Sequence, residues 1–148
     1  MAHSAEFVLD LTREVDAPRD AVFRACIEPA ELAKWWGPRG FTAQAVELDP
    51  RVGGAYRLAM QPPEGDVFYL GGEFREVEPP SSLAYTFDYE EPDPDDVETL
   101  VTLTFRDLGG STEVTLHQGD FATEGRLELH EQGWSDTLDR LEELFASR

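Results

Sequence analysis

The run Glu124-Gly-Arg-Leu-Glu-Leu-His-Glu-Gln-Gly-Trp-Ser-Asp-Thr-Leu-Asp-Arg-Leu-Glu-Glu-Leu-Phe-Ala146 decides how this chain folds. Wound at 3.6 residues per turn, it gathers Leu127, His130, Glu131, Trp134, Leu138, Leu141 and Phe145 into one stripe, apolar but for two residues. Glu128, Asp136, Asp139, Arg140, Glu142 and Glu143 take the opposite, solvated face. At roughly 1.5 Å per residue such a helix is about 34 Å long, enough to cross a small domain. Gly133 costs about 1 kcal/mol against alanine in mid-helix and precedes the helix's largest side chain, Trp134. A glycine there implies that another backbone or a ligand comes close.

The chain has 148 residues, which suits one domain spanning 1–148 with a core that needs no staple. Its one cysteine, Cys26, has no internal disulfide partner and no metal-binding neighbours in sequence. Met1 to Glu6 is short, polar and free of Lys and Arg, unlike a signal peptide, and no apolar run approaches the roughly 20 residues of a membrane span. A cytoplasmic protein is the expectation. The net charge of -19, with Lys34 the only lysine, repels phosphates at long range, so nucleic acid is not an expected partner.

Upstream of the long helix the pattern changes to alternation. Phe7 to Val15 places Phe7, Leu9, Leu11 and Val15 on one side of a strand, with Arg13 as the exception. Arg13 reads either as a strand-end side chain snorkelling to the rim or as a cation at a cavity mouth. Asp16-Ala-Pro18 opens a helix with an Asx-type cap, and Val22, Phe23, Cys26 and Ile27 form its buried stripe. Pro29 ends it and starts a second short helix, Ala30 to Trp36. Trp35 and Trp36 cannot face the same way, so one plugs the core while the other lies at an opening. Six strands follow: Thr42–Leu48, Ala55–Gln61, Val67–Val77, Leu83–Tyr89, Val97–Phe105 and Thr112–Gln118. Gly71-Gly72 inside the third of these suggests a bulge or sharp bend. Consecutive strands with short turns make an antiparallel meander, and only the C-terminal helix is long enough to cover its apolar face.

Arg13, Asp16-Ala-Pro18, Val22-Phe23, Trp35-Trp36-Gly37-Pro38, Asp49 with Gly53-Gly54, Gly72, Glu76-Val77, Pro79-Pro80, Leu83, Thr86, Gly133-Trp134, Leu138 and Leu141 recur in an order that resembles the START-like, or SRPBCC, superfamily. Within it the chain is similar to the activator of Hsp90 ATPase homologue 1-like family. The resemblance covers nearly the whole chain. It implies an α+β helix-grip fold of the START/Bet v 1 kind: a curved antiparallel sheet of about seven strands around the long helix, with two short helices after the first strand. It also implies a deep cavity between sheet and helix, where many relatives bind a hydrophobic small molecule or lipid. A chaperone or other protein is a further partner it suggests, and pairing into a homodimer through sheet edges or helices is open to related domains.

The candidate ligand-binding wall consists of Trp35, Trp36, Phe41, Tyr56, Phe74, Tyr85, Phe87, His130, Trp134 and Leu138. Such pockets are apolar with a few polar groups, here Tyr56, Tyr85, His130 and Glu131. Adjacent on one helix, His130 and Glu131 do not face each other, so they form no ready acid/base pair. His3, His117 and His130 are scattered and Cys26 lies on a core stripe, so no metal site is expected. Phosphate loop, nucleophile elbow and dinucleotide fingerprint are all absent. The sequence therefore favours a cofactor-free ligand-binding domain without a catalytic constellation. The alternatives are a co-chaperone-like adaptor or a cavity enzyme of cyclase or hydrolase type.

Overall fold

The computed structural model describes residues 7–148; His3 and the polar start of the chain lie outside the described residues. Strand β1 (Leu9–Val15) is followed by helices α1 (Arg19–Ile27) and α2 (Pro29–Trp35). Strands β2 (Thr42–Leu48), β3 (Ala55–Gln61), β4 (Phe68–Glu78), β5 (Ser82–Tyr89), β6 (Thr99–Asp107) and β7 (Thr112–Gly119) come next, and helix α3 (Glu124–Ala146) ends the chain. The strands form one antiparallel sheet in the order β1-β7-β6-β5-β4-β3-β2. After β1 closes one edge against β7, every neighbour in the sheet is a neighbour in sequence, as short turns dictate.

Alternation places one row of side chains on the face that α3 covers. Leu103 pairs with Leu116 and Phe105 with Val114 across β6 and β7, and all four are buried. Trp134, Leu138, Leu141 and Phe145 of α3 belong to the same buried cluster. The Thr123 hydroxyl caps the helix by accepting from the Arg126 amide at 3.1 Å. Among the described residues no helix is long and apolar enough to cross a membrane.

Two sequence expectations about local chemistry are corrected. The residue capping α1 is Pro18, which offers no side-chain acceptor, so Asp16 is not an Asx cap. The bulge in β4 is not at the paired glycines: the register slips between Phe74 and Glu76. Gly72 has a different reason to be glycine, because a Cβ there would run into the Thr86 carbonyl of β5. A second slip, between Ala43 and Ala45 in β2, bends the far edge of the sheet.

Candidate functional site

The two adjacent tryptophans settle what α2 and the loop after it do. Trp35 is 1% exposed and its indole donates to the Ala25 carbonyl at 2.9 Å, locking α2 onto α1. Trp36 leaves the helix in extended backbone. It meets Trp134 edge-on at 5.7 Å between ring centroids and stacks on Phe87 at 6.3 Å. Gly37 then turns at φ 109°, where a Cβ would press on the Met60 methyl at 2.7 Å.

Helix α3 holds this loop down. The Arg140 guanidinium donates to the carbonyls of Gly37 at 2.8 Å, Pro38 at 3.3 Å and Phe41 at 3.3 Å. Arg140 thus leaves the solvated face that helical periodicity gave it. Arg39 adds an ion pair with Glu143. Pro38 lies against Gly133, whose added Cβ would touch its ring at 3.4 Å. The close neighbour that the mid-helix glycine implied is this proline.

Between the loop, the sheet and the first half of α3 lies a cavity of about 410 Å³. Trp36, Phe41, Met60, Phe68, Phe87 and Trp134 are prominent in its apolar wall. Glu91, Asp93 and Asp96, from the loop between β5 and β6, stand at its mouth with Arg126. Arg126 pairs with Asp93 at 2.7 Å and Asp96 at 3.3 Å, tying this acidic loop to α3.

The polar groups on the wall are organised around His130. Its Nδ1 lies 2.8 Å from the Arg126 carbonyl, and a carbonyl only accepts, so Nδ1 carries the proton. The Nε2 lone pair then accepts from the Tyr89 hydroxyl at 2.8 Å. Phe121 stacks on the imidazole at 4.7 Å. Burial lowers the His130 pKa and raises that of Tyr89, so both are neutral at neutral pH. Deeper in, the Trp134 indole donates to Gln118 at 2.7 Å, and Gln118 donates to Thr99 at 2.8 Å. Every buried side-chain polar atom among the described residues has a partner.

Of the wall expected from sequence, Trp36, Phe41, Phe87, His130 and Trp134 border this cavity. Trp35, Tyr56, Phe74, Tyr85 and Leu138 are buried but do not. Tyr56, Phe74 and Tyr85 instead enclose, with Trp35, a void of about 20 Å³, room for little more than one water. The Tyr56 hydroxyl is spent on the Thr86 carbonyl at 2.6 Å. Glu131 is exposed and takes no part in the cavity. Arg13 does not stand at the cavity mouth: its head reaches across to α3, where it bonds Ser135 at 2.9 Å and the partly exposed Glu142 at 3.3 Å. Tyr89, Met60, Phe68, Leu70, Thr137 and the acidic loop are among the cavity residues that sequence reasoning missed. Tyr89 was legible as the last inward position of β5; the loop carried no signal beyond its charge. Among the described residues no three His, Cys, Asp or Glu side chains gather where they could hold a metal ion.

The family model described as Activator of Hsp90 ATPase homolog 1-like protein matches residues 16–146. A crystal structure of a protein from Chromobacterium violaceum is similar at 29% identity, covering 94% of this chain and 96% of its own, with a TM-score of 0.85. One from Nitrosomonas europaea is 30% identical, covering 98% and 97%, with a TM-score of 0.81. The AHSA1 protein of Silicibacter pomeroyi is 28% identical, covering 94% and 97%, with a TM-score of 0.81. No curated protein matches the chain.

Proposed function

This chain belongs to the Activator of Hsp90 ATPase homolog 1-like family, and from that premise we propose that it binds a small hydrophobic molecule between its long helix and its sheet. The observation that carries the reading is the cavity of about 410 Å³, walled by aromatic side chains and supplied with few polar groups. Ligand pockets of roughly 300–1,000 Å³ with that lining are the usual form of small-molecule sites. A chaperone-directed role has the family description as its support.

The test is titration with Nile red, a neutral dye whose emission shifts blue in apolar surroundings. Saturable, one-to-one binding is expected for the native chain. Gly133→Leu, which projects a branched side chain at the cavity wall, is expected to abolish it while far-ultraviolet circular dichroism stays unchanged. Absence of saturable binding, or full binding by a folded Gly133→Leu variant, overturns the proposal.

A second reading rests on the His130–Tyr89 pair. A neutral imidazole accepting a phenolic proton inside a cavity is a usable acid/base couple. Chromatography and mass spectrometry of any molecule that co-purifies, before and after incubation, separate the readings: conversion to a new species by the native chain but not by His130→Gln supports catalysis, and recovery of the same species supports binding alone.

A further inference from the structure

The polar atoms that border the cavity differ in kind, and the difference bears on the ligand. Tyr89 donates its hydroxyl hydrogen to His130 at 2.8 Å, and His130 donates its own to the Arg126 carbonyl at 2.8 Å. Trp134 donates to Gln118 at 2.7 Å, and the Thr137 hydroxyl donates to the Gly133 carbonyl at 2.7 Å. All four hydrogens are spent on the protein. What the Tyr89 and Thr137 oxygens still offer is lone pairs, which accept.

Charge points the same way. Among the described residues bordering the cavity, Arg126 is the only fixed cation, and it is engaged by Asp93 and Asp96. Glu91 adds a third carboxylate at the mouth. A carboxylate or phosphate head entering here would meet three carboxylates against the single Arg126 cation, in a chain whose net charge is already -19. An ammonium or amine head would meet acceptors, opposite charge and the faces of aromatic rings, which attract cations electrostatically.

Resting on the reading that this cavity binds a small hydrophobic molecule, we propose that its ligand class is an aromatic or similarly ring-bearing amine, with its donor head at the Tyr89 and Glu91 end, and that anionic amphiphiles such as fatty acids are excluded.

Three probes of one shape decide this: 1-naphthylmethylamine, 1-naphthalenemethanol and 1-naphthoate, each titrated at neutral pH and low salt by isothermal calorimetry. The expected order is amine, then alcohol, then carboxylate, with amine over carboxylate by roughly tenfold or more. Glu91→Lys, at an exposed position outside the core, is expected to cut that ratio at least about threefold, because it replaces an attracting charge at the mouth by a repelling one. Equal binding of all three, a carboxylate preference, or an unmoved ratio in Glu91→Lys overturns the ligand class and leaves the binding function standing. If none of the three binds while Nile red does, the ligand class is again overturned alone. If Nile red also fails, the binding function falls with it.

Discussion

Cys26 and His130 show how far burial governs the chemistry of single side chains. Burial pushes the Cys26 thiol up to about 12, so the nucleophilic thiolate is scarce. At about pH 8 the native chain is expected to stay unlabelled by an aromatic disulfide reagent and to react at once when unfolded in guanidinium. Rapid labelling of the native chain would place Cys26 at an accessible surface. His130 works in the opposite sense, because burial holds its folded pKa below the ordinary 6.5. As pH falls through about 6.5 the unfolded chain takes up a proton that the folded chain resists, so stability declines toward the folded value. The unfolding free energy of the native chain should therefore fall more steeply between about pH 7 and pH 5 than that of His130→Gln. Parallel profiles would mean that the imidazole is as solvated folded as unfolded. The neutral ring was not legible in sequence: periodicity placed His130 on the buried stripe, but Tyr89 and Phe121, which surround it, arrive from other elements.

At the scale of elements, the loop between α2 and β2 depends on α3 more than on its own sequence. Arg140 supplies donors to the Gly37, Pro38 and Phe41 carbonyls, which face the helix rather than bulk water. Arg140→Met keeps the apolar stem and removes those donors. It is expected to cost about 1–3 kcal/mol in denaturant unfolding and to speed amide exchange at Gly37, Arg39 and Phe41. Arg39→Gln, which removes an ion pair with both side chains more than half exposed, should cost less than about 1 kcal/mol. Equal costs for the two variants would refute the distinction. The bounds of α3 coincide with those its apolar stripe marks out, because a 23-residue periodic run leaves no competing assignment. The β4 bulge was misplaced because two glycines advertise close approach and bending alike, and only the Thr86 carbonyl distinguishes them.

For the whole molecule, the net charge adds a collective electrostatic term. A net charge of -19 repels itself in the compact state. The ion pairs drawn across the surface, such as Arg57 with Glu90 and Arg106 with Glu113, are largely exposed and contribute little each. Raising sodium chloride from about 10 mM to about 500 mM shortens the screening length from about 30 Å to under 10 Å. The melting temperature is therefore expected to rise with salt at neutral pH. A fall would show that specific ion pairs outweigh the collective repulsion.

Element order, the sheet's apolar face and the identity of the covering helix follow from the sequence alone, because periods of 2 and 3.6 residues record which face of each element leaves water. So does the division of labour between Trp35 and Trp36, since neighbouring positions at a helix end diverge, although not which of them takes which side. The tertiary structure decided the rest. Trp35, Tyr56, Phe74, Tyr85 and Leu138 are as buried as Trp36, Phe87 and Trp134, yet they do not border the large cavity. Burial is a property of a residue and its element, which a pattern can carry. Facing an open space depends on the distance between two layers and on the side chains meeting from both, here set by the Arg140 clamp and the contact of Pro38 with Gly133.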